Sequence, residues 1–446
     1  MQIDTLGVLR HRHRGPVISV DDAGYDPARL TFNGMIDRRP ELIVRPLNVD
    51  DVVAAVRFAV EADLPIGVRG GGHSVAGHCI GDGGLVVDLR LMRYVTVDPV
   101  ARTATCGGGA LWEDFDPACQ RHGLATPGGT FGDTGVGGLT LGGGIGHLIG
   151  LYGLTLDNLL SATVVTAAGD VVRASDDENA DLFWALRGGG GNFGVVTDYT
   201  FRLHPVGRVL GGQLVYRVED ARAVVGKWRE LMAVAPDELA CFAFVARSSV
   251  AEQVGAIISV AYFGDAENGE DAIADLLDEP EPVANLLRPM YYSELQEIFG
   301  RMPFGLRNYW SGRFLRELPD ELIDLSADHL GPDVPGSIMF EPIFGAAARV
   351  PPDATAFAGR EARYNATFIS TWIDAAEDER RIALAREFSA QLAPWATGGG
   401  YINYAFDSVG DGMLTEYGTA RLERLQDVKR QYDPENRFRF NHNITP

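Results

Sequence analysis

Three glycine-rich segments in the first half of the chain limit the folds that it can adopt. They read RGGGHSVAG at 69–77, TGVGGLTLGGGIG at 134–146 and RGGGGNFG at 187–194. Backbone N–H groups on glycine loops cradle phosphate oxygens, because glycine accepts positive φ angles and allows close backbone approach. One such loop fits an ordinary turn equally well, whereas three beside apolar strand or helix signals predict a phosphate-binding site.

His73 follows three glycines in the first segment, and local sequence leaves its role open. The imidazole could bind a metal, act as a base, anchor a molecule that lies on the glycines, or have no role in a loop. The four cysteines show no C-x-x-C spacing and no other ligands stand at usable spacing, so the sequence predicts free thiols and no metal site.

Composition excludes several classes of partner. The chain has 446 residues and a formal net charge of −22, from 39 basic and 61 acidic residues. This charge argues against nucleic acid and anionic membranes as partners. No apolar run approaches the roughly 20 residues of a membrane span, and the N-terminus shows no signal-peptide pattern. We therefore expect a cytoplasmic protein, monomeric or homodimeric, whose partner is a small molecule.

The pattern of elements divides the chain into three parts. Strand and helix signals alternate between glycine loops up to about Pro205. Longer strands and acidic helices follow, which indicates an α+β domain with an antiparallel sheet. From about Gly398 the chain is aromatic and Asn-rich and is expected to return to the first part. The predicted parts are 1–205, 206–398 and 399–446.

A Rossmann dinucleotide-binding domain is the main alternative for the glycine segments. It requires G-x-G-x-x-G directly after a strand, inside a βαβ unit. The stretch GGGIGHLIG gives a loose match at Gly142, Gly144 and Gly146, but it follows a PGGTFGD loop rather than a strand. No βαβ unit frames it, so a Rossmann domain is not predicted.

The order of the motifs resembles a known family. RGGGHS, GVGGLTLGGGIG, YGLTLDNL and DLFWALRGGGGNFGVVT are similar to the FAD-linked oxidases of the vanillyl-alcohol oxidase / p-cresol methylhydroxylase (PCMH) superfamily. The tail, Y-x-N-Y followed by YDP-x-N-x-F and N-x-N-I-x-P, resembles its berberine-bridge-enzyme-like branch. The resemblance implies a two-domain α+β fold of the FAD-binding PCMH type, with a split FAD-binding domain and an antiparallel-sheet substrate domain covered by helices.

The resemblance also implies a cofactor, FAD, bonded covalently to His73, with His78 as a less suitable attachment point. Asp157 has an equally good interpretation as a helix or loop cap. The other implied FAD contacts are Arg69, Gly70, Gly71, Gly72, Ser74, Gly77, Thr134, Gly135, Gly138, Leu139, Gly142, Gly143, Gly144, Gly146, Leu154, Asp157, Gly194, Val196, Asn441 and Asn443.

Many members of this branch hold the flavin by a second bond, to a cysteine just before the second glycine segment. This chain reads GTFGDTGVGG there, with Phe131 at the cysteine position. The resemblance therefore implies a single covalent link, through one histidine.

Flavin oxidation moves a hydride from a substrate carbon to the flavin, and a base helps remove the X–H proton. The tail supplies the candidate bases Tyr404, Glu416 and Tyr401, although Glu416 also fits a carboxylate on a helix face. Glu341 stands in the apolar run SIMFEPIFG, where a carboxylate is paired, at an edge, or useful.

Three functions remain open from the sequence. The first is an FAD-dependent oxidoreductase that oxidises an alcohol of a secondary metabolite or carbohydrate and is reoxidised by O2 to give H2O2. The second is oxidation at a C–N bond, as in amine or nicotine-type oxidases. The third is a flavin-retaining binding protein without turnover, which would need no base in the tail. The presence of Tyr404 argues against this last function.

Overall fold

Residues 5–247, 255–329, 336–406 and 415–446 are described by a computed structural model of the chain. The strands of the first half are β1 (Val17–Ser19), β2 (Leu42–Val44), β3 (Ile66–Arg69), β4 (Leu85–Asp88), β5 (Val95–Asp98), β6 (Thr103–Gly107), β7 (Leu124–Ala125), β8 (Leu159–Val165), β9 (Val171–Ser175), β10 (Val195–Arg202) and β11 (His204–Pro205).

These strands form two small sheets and one short pair. The first sheet has the order β1-β2-β4-β3, in which β2, β4 and β3 are parallel and β1 is antiparallel. The second has the order β5-β6-β10-β8-β9 and is antiparallel throughout. The remaining pair is β7 with β11. The first glycine segment leaves the carboxyl end of β3, and the third leads into β10, so both begin or end on a strand.

Helices cover these sheets. They are α1 (Thr5–Arg12), α2 (Tyr25–Arg29), α3 (Val49–Glu61), α4 (Trp112–Gln120), α5 (Val136–Gly142), α6 (Ile149–Tyr152) and α7 (Ala180–Leu186), with 3₁₀ turns at Leu89–Leu91 and Thr155–Asn158. The side chain of Asn48 accepts a hydrogen bond from Asp51 N at 3.0 Å and so caps α3. The buried face of α3 packs against the first sheet.

The second glycine segment contains a helix, α5, which the sequence did not predict. Glycine inside a helix costs about 1 kcal/mol relative to alanine, so local propensity is unfavourable there. Packing compensates, because Val136 and Leu141 are buried in the core of the second sheet. The Thr140 hydroxyl also donates to Val136 O at 2.7 Å.

The central part of the chain forms one large antiparallel sheet. Its strands are β12 (Arg208–Val215), β13 (Leu239–Arg247), β14 (Ala256–Tyr262), β15 (Ala284–Asn285), β16 (Arg288–Tyr291), β17 (Arg307–Leu315), β18 (Gly336–Pro342) and β19 (Tyr364–Trp372). The strand order is β15-β12-β14-β13-β18-β19-β17, and β16 pairs with β12.

Helices α8 (Ala221–Val234), α9 (Ala266–Ala272), α10 (Ala274–Leu277), α12 (Asp320–His329) and α14 (Asp378–Gln391) pack on one face of this sheet. The other face lies toward the glycine segments and also packs against α11 (Tyr292–Leu295) and α13 (Gly345–Arg349). 3₁₀ turns occur at Val218–Asp220, Ala358–Glu361, Ala375–Glu377 and Ala393–Trp395. The expected α+β architecture with an antiparallel sheet is confirmed, and the domain bounds at 205 and 398 stay a prediction.

The C-terminal tail, with α15 (Thr419–Tyr432), returns to the first half through a buried ion pair. Lys429 Nζ donates to Asp433 Oδ2 at 2.7 Å, to Asn192 O at 2.8 Å and to Phe438 O at 2.9 Å, and both charged side chains are fully buried. Asp433 also accepts from the backbone N–H groups of Arg437 and Phe438. Lys429 therefore ties the tail to the third glycine segment.

We predict that Asp433→Ala lowers the free energy of unfolding by about 3–5 kcal/mol, because it leaves the Lys429 charge buried without its partner. Asp427→Ala is the matched control, since the Asp427 side chain is 73% exposed in its pair with Arg430 and such pairs contribute about 0–1 kcal/mol. Urea unfolding followed by tryptophan fluorescence compares the two variants. Equal, small effects would contradict the role given to the buried pair.

Candidate functional site

A deep cavity lies where the three glycine segments, the large sheet and the tail meet. Its volume is about 290 Å³. The residues predicted from the sequence that line it are Gly70, Gly71, Gly72, His73, Ser74, Thr134, Gly135, Gly138, Leu139, Gly194, Val196, Tyr401, Tyr404 and Asn441. Segments more than 300 residues apart in sequence thus form one site.

Bare backbone makes up the glycine side of the cavity. A Cβ atom on Gly71 would stand 2.6 Å from Gly135 N, so the first and second segments pack backbone against backbone. Gly138 and Gly191 line the cavity, and a Cβ atom on either would have no protein atom within 4 Å. These two positions present peptide groups, with no side chain, to whatever occupies the cavity.

The other predicted site residues are not part of the cavity lining. They are Arg69, Gly77, Gly142, Gly143, Gly144, Gly146, Leu154, Asp157, Glu416 and Asn443. Asp157 accepts from Leu154 N at 2.9 Å and pairs with the buried Arg360, which matches its interpretation as a cap. Glu416 accepts from Gly400 N at 2.7 Å. Both carboxylates therefore hold backbone that supports the site.

His73 stands in the cavity wall at the end of the first glycine segment. Its ring stacks on Phe32 with centroids 4.1 Å apart. Its Nε2 atom is buried without a hydrogen-bond partner and lies 3.8 Å from Asp133 Oδ2. Phe131, at the position where the resemblance implied a second flavin link in other members, lines the same cavity. The sequence had not pointed to Phe32 or Asp133.

Tyr401 supports the second glycine segment from the tail. Its hydroxyl accepts from Gly144 N at 2.7 Å and from Asn403 Nδ2 at 2.8 Å, and burial raises its pKa. Gly144 has a φ of +91°, a conformation that glycine adopts without strain. Asn403 also donates to Leu139 O at 3.0 Å and lines the cavity. Asn403 is the asparagine of the Y-x-N-Y motif, so this motif is the sequence feature that indicates a role for it.

Tyr404 faces the cavity and is hydrogen-bonded to a buried carboxylate. Its hydroxyl lies 3.1 Å from Glu341 Oε1, and Asn365 Nδ2 donates to Glu341 Oε2 at 2.7 Å. Glu341 is fully buried, and this burial raises its pKa from 4.5 to about 7. Burial and the nearby Glu341 carboxylate hold the pKa of Tyr404 well above its ordinary value. The hydrogen-bond partner of Tyr404, which the sequence alone did not reveal, is therefore Glu341.

Two family profiles match the chain. The FAD binding domain matches residues 40–175, and the berberine and berberine-like family matches residues 400–445. (R)-6-Hydroxynicotine oxidase of Paenarthrobacter nicotinovorans is 33% identical over 450 residues, which cover 97% of this chain and 97% of that protein. The chain belongs to the berberine-bridge-like FAD-linked oxidoreductases. The family predicted from the motifs is confirmed.

Solved structures of this oxidoreductase family have the same fold. 6-Hydroxy-D-nicotine oxidase from Arthrobacter nicotinovorans matches with a TM-score of 0.87 at 32% identity, covering 97% of this chain and 98% of that one. Xylooligosaccharide oxidase from Myceliophthora thermophila C1, solved in complex with xylobiose, matches with a TM-score of 0.87 at 25% identity, covering 100% and 99%. The PCMH-type fold expected from the sequence is confirmed.

The cavity of this FAD-linked oxidoreductase fits the cofactor of its family. The profile of the FAD binding domain includes the first two glycine segments, whose bare peptide groups line the cavity. Buried polar atoms without protein partners stand beside it, among them His73 Nε2 and Asn441 Oδ1. N–H groups of the glycine wall suit a diphosphate, and the unpartnered atoms are free for a polar ring.

Within residues 5–247, 255–329, 336–406 and 415–446, no group of three or more His, Cys, Asp or Glu side chains is placed to hold a metal ion. No helix in the same ranges is long and apolar enough to cross a membrane.

The raised pKa of Glu341 predicts a pH dependence of stability. Because the folded state binds the Glu341 proton more tightly than the unfolded state, this contribution is fully present below pH 4.5 and is lost as pH rises to about 7. We expect the free energy of unfolding of wild type to fall by about 3 kcal/mol relative to Glu341→Gln over that range. Exposed Glu379→Gln is the control and should follow wild type. If the free energy of unfolding changed with pH by the same amount in wild type and Glu341→Gln, the raised pKa of Glu341 would be contradicted.

Proposed function

We propose that this protein is an FAD-dependent oxidase that takes a hydride from a carbon bearing a hydroxyl group on a small-molecule substrate. The observation that carries the proposal is the Tyr404–Glu341 pair, 3.1 Å between oxygens, at the wall of a cavity whose opposite side is bare glycine backbone. The pair supplies a proton acceptor where a substrate carbon meets the cofactor.

The cofactor in this proposal is FAD, attached through His73 as its sole covalent link. The glycine segments would hold its diphosphate, and Thr134, Leu139 and Asn441, which line the same cavity, would contact the rest of the molecule; Asn443 lies outside the lining. When bound, FAD accepts the hydride and passes two electrons to O2, which yields hydrogen peroxide. In this proposal the predicted parts 1–205 and 399–446 bind FAD, and the part 206–398 binds the substrate.

Tyr404 relays the substrate proton in this proposal. As the substrate C–H bond breaks, the hydroxyl proton moves to Tyr404 Oη while the Tyr404 proton moves to Glu341 Oε1. A phenol alone has a pKa near 10 and is a poor acceptor at neutral pH. Burial raises the pKa of Glu341 to about 7, which suits the carboxyl group to take up this proton near neutrality. Asn365 keeps the carboxylate oriented.

Oxidation at a C–N bond is the second candidate function. It is favoured by the likeness to (R)-6-hydroxynicotine oxidase over 97% of this chain at 33% identity. The same pair would accept a proton from a nitrogen as readily as from an oxygen. A peroxide assay over aryl alcohols, aryl amines and disaccharides separates the two candidates.

We predict that His73→Ala abolishes the flavin absorbance that stays with the protein after acid precipitation, because only a covalent bond survives denaturation. His78→Ala is the matched control, since His78 also lines the cavity and should retain acid-stable flavin. The measurement is the 450 nm absorbance of the redissolved precipitate. Acid-stable flavin in His73→Ala would exclude His73 as the link.

We predict that Tyr404→Phe slows anaerobic flavin reduction by about 10²–10⁴-fold with the best compound of the panel, since general acid–base groups contribute this much. Flavin content should be unchanged. Tyr216→Phe removes a buried hydroxyl, which donates to Leu276 O at 2.5 Å in the core of the large sheet, away from the cavity, and serves as the control. Stopped-flow bleaching at 450 nm is the readout. An unchanged rate in Tyr404→Phe would remove Tyr404 from the proton path.

A further inference from the structure

The wall of the cavity that belongs to the large sheet is apolar. Phe244, Met339, Ile369 and Trp310 line it, and they come from the neighbouring strands β13, β18, β19 and β17. Phe244 lies directly opposite Met339 in the strand register, and Trp310 lies directly opposite Ile369. Side chains in such register positions stand on one face of the sheet. The four therefore stand on one face of the sheet, on four neighbouring strands.

Charged side chains do not line this cavity. Among the residues that the structure describes, its lining contains no Asp, Glu, Lys or Arg. Glu341 stands behind Tyr404 and is fully buried. The Tyr401 hydroxyl and the Asn403 amide line the cavity but already bond to each other and to the second glycine segment. Tyr404 is thus the polar group that lies next to the apolar surface. Its hydroxyl is hydrogen-bonded to a proton acceptor, Glu341.

This distribution of groups discriminates between substrate classes. A disaccharide carries a hydroxyl on most of its carbons, and each one buried without a partner lowers affinity. An apolar ring gains affinity from the same wall, because aromatic and thioether side chains pack well against ring faces. The apolar wall therefore favours the binding of a ring, and the Tyr404 hydroxyl can hydrogen-bond one polar group of the substrate.

We propose that the substrate is an apolar, ring-bearing molecule with a single hydroxyl or amine group at the reacting carbon, and not an oligosaccharide. This inference rests on the proposed function, since it assigns the substrate of the same site. The ring lies on Phe244, Met339, Ile369 and Trp310, and the hydroxyl or amine group meets Tyr404. Met339 stands at the centre of the surface, opposite Phe244 on β13 and Thr367 on β19.

The test uses the flavin-loaded enzyme and two sets of probes. One set is 1-phenylethanol and 1-phenylethylamine, and the other is xylobiose and glucose. Binding is read from the change in the absorbance band of the bound flavin under anaerobic conditions. We expect dissociation constants for the aryl probes at least about tenfold lower than for the sugars. Sugars that bind as tightly, or aryl probes that fail to bind, would overturn the proposal.

A substitution in the wall makes the test specific. Met339→Gln puts an unpaired amide at the centre of the apolar surface and should weaken aryl binding about tenfold. Met232→Gln is the matched control, because Met232 is buried against the other face of the same sheet and reports any general loss of stability. Unchanged aryl affinity in Met339→Gln, with flavin content intact, would contradict the assignment of this wall to the substrate.

The same anaerobic titrations distinguish a failure of this inference from a failure of the proposed function. Bleaching of the flavin band reports hydride transfer, and the shift of the band reports binding. Aryl preference without bleaching by any compound would support the substrate class and count against oxidase activity. Bleaching by sugars, with weaker binding of the aryl probes, would support the oxidase and overturn the substrate class.

Discussion

The contacts of one buried lysine hold the parts of the site together. Lys429 uses all three ammonium protons, on Asp433, on Asn192 O in the third glycine segment and on Phe438 O in the tail. Asn192 then binds the tail again, through His442 O and Ile444 N. A buried charge is tolerated only when it is paired and fully hydrogen-bonded, so the geometry around Lys429 admits one docking of the tail. The remaining wall of the cavity depends on that docking, because Asn441 and His442 line it.

The two sides of the cavity differ in the chemical groups that they present to a ligand. The glycine side offers peptide N–H groups, which suit the phosphate charge of a cofactor without any Lys or Arg side chain among the described lining residues. The sheet side offers apolar side chains, which suit a substrate ring. Tyr404 stands on the border, hydrogen-bonded to the buried Glu341, which is the proton acceptor in the proposed function. The net charge of the whole chain, −22, comes from residues outside the cavity lining, since the described lining contains no Asp or Glu.

Much of this arrangement was predictable from the sequence, because glycine loops and short-range periodicity are local signals. The alternation of strands and helices in the first half, the antiparallel sheet of the central part and the return of the tail follow from such signals. The contact between Glu341 and Tyr404 spans 63 residues, and only the packing of the tail on β18 creates it. Helix α5 was missed because packing overrides the low helix propensity of glycine. Asp157 and Glu416 were plausible by motif, yet their oxygens are bound by nearby groups away from the cavity.

A crystal structure of the yellow, flavin-loaded protein tests the central claim most directly. We expect the ring of FAD between the second glycine segment and the wall that contains Trp310 and Met339, with continuous density to His73. The Tyr404 hydroxyl should then lie on the substrate side of the ring, in hydrogen-bond contact with Glu341. A flavin bound elsewhere, or a ring that leaves Tyr404 outside the substrate space, would contradict the site described.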